Sequence, residues 1–353
     1  MSQYLFRLSV IYSEINKMDE AGKILDKLST EYADTPEGKK AKFAFVKNHY
    51  ERGNYEVALQ NLKDVFDKPE VKKNLSITNY RWIASEFAAC LSDRYKAVAA
   101  QYAILASEEL LKEIRTVEGA NATGDVKGWV GELKAIEFDN DPQARMDYFS
   151  MLHGKLLIDA AKSAGLTKNY PLAVKYYTDL EKMDKENKRK GGKQYPYFYQ
   201  LYFGRIDAYL KMQPQNLEGA KKDLVTVGRR ANLAGQPLLY NKSQVMLGEI
   251  WEQQKDLKKA YAFYTMVAGL PYNENTPLAV DPKNPEDDVA LYLEKAVYKA
   301  AETAYLLASA PNASAETKQE MQDSMKAMIE KYEKYYPDGK YRTEIRKLKM
   351  KAL

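Results

Sequence analysis

Apolar positions in the first forty or so residues recur at the three- and four-residue spacing of amphipathic helices. Tyr4, Leu5, Leu8, Ile11, Tyr12 and Ile15 line one helical face. After a break at Asn16-Lys17-Met18, Ala21, Ile24, Leu25, Leu28 and Tyr32 line a second face. The break holds neither Gly nor Pro, but three residues suffice to join two antiparallel helices. Asp34-Thr35-Pro36-Glu37 then stops one helix and starts the next, with Thr35 as N-cap and Pro36 in the first turn, where its missing N–H is not needed. Leu5 to Pro36 therefore reads as one helical hairpin.

The hairpin returns along the chain. Tyr50-Glu51-Arg52-Gly53-Asn54-Tyr55-Glu56-Val57-Ala58 is followed by Leu62, Val65, Phe66 and Pro69. Gly53 suits a left-handed helix end, and Ala58 lets two helices approach closely. A third copy is Asn169-Tyr170-Pro171-Leu172-Ala173 with Tyr176 and Tyr177. A fourth runs from Leu247-Gly248-Glu249-Ile250-Trp251 through Lys255-Asp256-Leu257-Lys258-Lys259-Ala260 to Tyr264 and Pro271, and a weaker one is Asn216-Leu217-Glu218-Gly219-Ala220. The small residue thus recurs at Ala21, Ala58, Ala173, Ala220 and Ala260, with gaps of 37, 115, 47 and 40 residues. The longest gap has room for two more copies, one of them between Ile77 and Leu111. A last pair of helices is expected at Ala290–Leu307 and Ala315–Tyr336, and a closing helix at Lys340–Leu353.

These copies resemble the tetratricopeptide repeat, whose period is about 34 residues. The resemblance implies an all-α, right-handed superhelical solenoid of about six to eight hairpins. Residues 1–115 would hold the first hairpins and 116–128 a loop or seam. Residues 129–339 would hold the rest, with long connectors at 182–194 and 271–288, and 340–353 would cap the array. Helical periodicity begins at the first residues, so Met1 is read as lying at a repeat boundary inside a longer protein.

Composition narrows the chemistry. Apolar residues make up 45% and charged residues 29% of 353, as in a well-cored protein. Fifty-four basic residues nearly match forty-nine acidic ones, so a net charge of +5 gives no global field toward nucleic acid. No stretch approaches the roughly 18 apolar residues of a membrane span. One cysteine, Cys90 in the apolar run FAAC, excludes an intrachain disulfide framework and reads as an inert core thiol. The histidines are His49, at a packing position of its helix, and His153, which nothing pairs with in sequence. No metalloprotease, phosphate-loop or nucleophile-elbow motif occurs. The chain is therefore read as non-enzymatic, without cofactor or metal.

The resemblance places a binding groove on the first helix of each hairpin. Its candidate residues are Phe43, Lys47 and Tyr50, then Lys242, Val245 and Glu249, joined by Tyr199, Tyr202 and Phe203 of an aromatic run. A second candidate is the basic patch Lys185, Lys188, Arg189, Lys190 and Lys193, whose bland reading is a solvated loop. A chaperone-type carboxylate clamp would need paired Lys and Asn positions, and Phe6, Val10, Phe43 and Lys47 stand there. Tyr32-Ala33-Asp34-Thr35-Pro36-Glu37-Gly38, echoed by Tyr336-Pro337-Asp338-Gly339, looks like bacterial extracytoplasmic members of the outer-membrane assembly and Tol-Pal coordinator type. The expectation is a scaffold holding a peptide or helix of another protein in the periplasm or at the cell surface, as a homo-oligomer or within a larger assembly. A cytoplasmic adaptor and a ligand-capturing lipoprotein stay open as alternatives.

Overall fold

A computed structural model describes residues 1–68, 75, 79, 82, 83, 100–107, 142–189, 196–272, 275–279 and 288–352, without the side chains of 142–153, 187 and 352. Among the described residues the chain is helical, with no strand. The helices are α1 (Ser2–Glu14), α2 (Met18–Glu31), α3 (Pro36–Glu51), α4 (Tyr55–Asp67), α5 (Pro142–Leu166), α6 (Tyr170–Arg189), α7 (Phe198–Lys211), α8 (Leu217–Leu233), α9 (Pro237–Gln253), α10 (Leu257–Ala268), α11 (Val289–Ala308), α12 (Ala315–Tyr335) and α13 (Arg342–Ala352). The short stretch 100–107 is helical as well. Two compact units divide the chain, Met1–Gly204 and Arg205–Leu353.

Within each unit helices pack on their neighbours in sequence. The contacts run α1 to α2, α2 to α3, α3 to α4, α5 to α6, and then unbroken from α8 to α13. A second set skips one helix: α1 touches α3, α9 touches α11 and α11 touches α13. This is the pattern of a helical repeat, in which each hairpin buries its apolar face on the next.

One local device makes five of the turns described, one of them at Gly235, with φ of 62° and the Gln236 N–H donating to the Ala231 carbonyl at 2.9 Å. Asn16, Gly53, Lys168 and Lys255 adopt left-handed backbone, with φ of 59°, 75°, 58° and 63°. In each case the next N–H reaches back five residues. Lys17 donates to the Tyr12 carbonyl at 2.8 Å, Asn54 to His49 at 2.8 Å, Asn169 to Ala164 at 2.8 Å and Asp256 to Trp251 at 2.9 Å. These are Schellman caps, which satisfy carbonyls left over at the helix end. Five residues beyond Asn16, Gly53, Lys168 and Lys255 stand Ala21, Ala58, Ala173 and Ala260, none more than 1% exposed, whereas half-buried Tyr240 follows Gly235. Ala220 is equally buried after the turn between α7 and α8. Only a small side chain fits such a crossing. Where α10 packs on α9, Gly248 makes room for the Tyr264 ring, which an added Cβ would approach to 2.4 Å.

Several helix starts carry side-chain caps, Thr35 among them as the sequence suggests. The Thr35 hydroxyl accepts from the Gly38 N–H at 3.0 Å with Pro36 following, and the Asn216, Asp256 and Ser314 side chains accept from N–H groups three residues on. The largest core described, in the second unit, joins Tyr264, Val267, Val297, Met325, Ile329 and Tyr332 to an alanine row on α11, Ala296, Ala300 and Ala304.

Two expectations change. The lysine-rich segment from 182 is helix through Arg189, because Lys182, Lys185 and Lys188 pair with Asp179, Glu181 and Asp184 one turn earlier and so run along a helix flank. The expected helix from 340 begins at Arg342. The residues described between 271 and 288 are non-helical, as a connector requires. The seam at 116–128 and Cys90 lie outside the described residues, as does most of the hairpin at 77–111.

Candidate functional site

Helices α9 and α11 lie against each other because each is the first helix of its pair, α9 with α10 and α11 with α12. Their facing edges carry a row of polar and aromatic groups. Lys242 of α9 holds its Nζ 5.8 Å from the centre of the Tyr292 ring. Two turns along, Glu249 forms an ion pair with Lys295, and Glu252 takes Lys299 Nζ at 3.0 Å. Lys299 also reaches Glu302 Oε2 at 2.7 Å. The Tyr264 hydroxyl donates to Glu252 Oε2 at 2.7 Å, and the Tyr298 hydroxyl to Glu302 Oε1 at 2.6 Å. Tyr298 stacks on Tyr341, with rings 4.6 Å apart and nearly parallel.

The electrostatics of this row are closed. Burial disfavours the charged ammonium of Lys299, yet the hydrogen bonds it donates to Glu302 and Glu252 outweigh that and hold its pKa above the usual lysine value. Burial and the Glu302 carboxylate push the Tyr298 phenol well above its usual range, and burial with Glu252 does the same for Tyr264. Both phenols therefore stay neutral donors. What the row leaves toward solvent is partly covered aromatic surface with its charges internally matched.

A second cluster forms in the first unit around Trp82, itself nearly buried. Phe43 meets the indole edge-on at 5.9 Å, Tyr50 edge-on at 5.0 Å, and Lys47 Nζ lies 5.1 Å from the ring centre. Three residues expected to line a groove are thus brought together by a tryptophan that periodicity did not single out. A cation above an indole face gains about 0.5–1 kcal/mol when exposed.

Three expected site residues need correction. Phe43 is 3% exposed and Val245 fully buried, so both belong to the core. Each sits on a helix packed from more than one side, which widens the buried arc beyond a single stripe. Tyr202 is also buried, its hydroxyl donating to Glu181 Oε1 at 3.1 Å. Tyr199 and Phe203 are half-buried, and the Tyr199 hydroxyl is fully buried. Within the basic patch, Lys185 pairs with Glu181 at 2.5 Å and Lys188 with Asp184 at 3.0 Å. Arg189 is exposed, and Lys190 and Lys193 lie outside the described residues.

His49 packs edge-to-face on Phe45 at 4.4 Å, and burial, then Arg52, lowers its pKa. The side chain of His153 is not described. Among the described residues no three His, Cys, Asp or Glu side chains converge on one point, and no helix is long and apolar enough to cross a membrane. The residues that sequence reasoning missed are Trp82, Lys295, Lys299, Tyr298 and Tyr341. The four-residue spacing of Lys295 and Lys299 against the three-residue spacing of Glu249 and Glu252 was a usable signal, since it puts opposite charges on two edges.

No protein-family model matches the chain, and no curated protein matches it.

Proposed function

We propose that this chain is a non-enzymatic protein-binding scaffold, a right-handed solenoid of tetratricopeptide-like hairpins that holds a peptide or helix of another protein. The observation that carries the reading is the repeated unit itself: a left-handed turn residue, a buried alanine five positions later, and first helix against first helix in α1–α3 and α9–α11. Stacked hairpins of this kind present their first helices side by side, so groups at those edges form an extended surface. The exposed portions of Lys47 and Tyr50 lie on such a helix in the first unit, where half-buried Tyr199 and Phe203 add aromatic area, and those of Lys242 and Glu249 lie on such a helix in the second. Aromatic anchors with sparse charge suit a peptide or helix, since the anchors give contact area and the charges give register. The Tyr-Ala-Asp-Thr-Pro-Glu-Gly segment supports a place in a bacterial envelope or surface assembly.

The test is affinity capture with the intact chain, followed by charge reversal at two edges. Lys47→Glu and Lys242→Glu should each weaken the captured complex about tenfold, the order of one lost charged contact, while the melting curve stays within a few degrees of wild type. Binding unchanged by both would move the partner off the first helices. A purified chain that turned over a substrate would remove the scaffold reading altogether.

A further inference from the structure

The N-terminal ends of α8 and α10 meet at one indole. Trp251, near the end of α9, has Lys221 Nζ of α8 at 3.7 Å from its ring centre and Lys259 Nζ of α10 at 4.1 Å. Lys221 also donates to Gln254 Oε1 at 3.0 Å, so α8 reaches the turn that leads into α10. The same two lysines take up the acids beside them. Lys221 pairs with Glu218 at 2.6 Å, and Lys259 with Asp256, the cap of α10, at 2.8 Å. The remaining acid of α8, Asp223, is buried against Arg205. Every carboxylate of α8, α10 and their caps is thus neutralised from within.

The cations that remain are Lys222 and Arg229 on α8, and Lys255 and Lys258 at the start of α10. All four are exposed, and none has an ion pair among the described residues. The positive ends of two helix dipoles add to them. Exposed apolar side chains stand among these charges. Val225, 46% exposed, lies one turn from both Lys222 and Arg229, and Met266, 50% exposed, lies two turns beyond Lys258. A phosphate track wants an unbroken row of cations, and Val225 interrupts this one. A bilayer wants a broad apolar face, and α8 and α10 turn theirs inward onto α9. A protein segment whose carboxylates alternate with apolar side chains meets both features at once.

We propose that the outward face of α8 and α10 is a docking surface for an acidic segment of another protein, with its carboxylates on Lys222, Arg229, Lys255 and Lys258 and its apolar side chains on Val225 and Met266. The surface lies away from the first-helix edges of α9 and α11, so it stands independently of the partner proposed there. Its charges are exposed to water, which makes the contact weak and dependent on salt.

Isothermal titration calorimetry on the intact chain tests it with two synthetic peptides, one built of Glu and Leu and the other with Gln in place of every Glu. The acidic peptide should bind with a Kd below about 0.1 mM at about 50 mM salt and weaken about tenfold by about 300 mM, and the Gln peptide should bind at least about tenfold more weakly. Lys222→Glu/Lys258→Glu should weaken the acidic peptide about thirtyfold and Val225→Ser about threefold, with melting curves close to wild type because all three side chains are exposed. Lys47→Glu and Lys242→Glu, on first helices, should change its affinity by less than about twofold. No binding up to about 1 mM at the lower salt overturns the proposal, as does equal binding of the two peptides or indifference to Lys222→Glu/Lys258→Glu. Phosphatidylserine vesicles or an oligothymidylate strand that bound more tightly than the acidic peptide, through the same two lysines, would overturn it as well, since the surface would then be a phosphate site.

Discussion

Asn16, Gly53, Lys168 and Lys255 share a backbone conformation, yet only one of them is the residue that adopts it without strain. A side chain in left-handed backbone costs roughly 1–2 kcal/mol, and glycine returns part of that through the greater freedom it loses on folding. Lys255→Gly should therefore stabilise the second unit by about 0.5–1 kcal/mol in chemical denaturation; an equal loss would mean that the lysine side chain holds the turn. The alanine five residues on has the opposite character. Ala260→Leu should cost about 1–3 kcal/mol by overpacking the crossing with α9, and an unchanged melting curve would contradict that packing. These positions were legible in the sequence because the device is local: a turn, a cap and a small residue at fixed offset. Trp82 was not, since its importance lies in what α3 brings to it and not in its own neighbours.

At the scale of helices, what the sequence hid is the second contact. Periodicity describes one stripe, but α9 is packed by α8, α10 and α11, so Val245 is buried on a flank that one helix read alone assigns to solvent. Likewise Lys295 and Lys299 stand more than forty residues from the glutamates they meet. The pair between α7 and α8 shows how much such a hidden contact matters. Arg205 Nε and Nη2 donate to Asp223 Oδ2 and Oδ1 at 2.7 and 2.8 Å, with both side chains about 5% exposed. Breaking one side strands a buried charge, so Arg205→Met should cost about 3–5 kcal/mol. The double variant Arg205→Met/Asp223→Leu should recover most of that loss in a mutant cycle, because neither charge is then left alone. Losses that simply add would show that the two groups act separately.

For the whole molecule, hairpins that touch chiefly their sequence neighbours give a stability that is a sum of local terms, so perturbing one region leaves distant ones standing. The second unit has a further property that follows from how its tyrosines are used. Glu294, 3% exposed, accepts the Tyr332 hydroxyl at 2.5 Å, and Tyr272 and Tyr336 share a hydrogen bond at 2.7 Å. With Tyr264, Tyr298 and Tyr341 these phenols are all held above their ordinary value of about 10, burial being the first cause in every case, and Tyr272 is pushed up to about 12. A raised phenol contributes stability that is complete below the unfolded value and is lost as pH rises through the folded one. The second unit should accordingly be sensitive to alkali: stable to about pH 10, it should lose helix steeply toward pH 12, with tyrosinate absorbance rising in the same step. Independent, gradual ionisation with helicity intact would mean that the hydroxyls are bystanders. The rings that fill this core thus set its ceiling in base, and the fold is fastened by protons that hydroxide can remove.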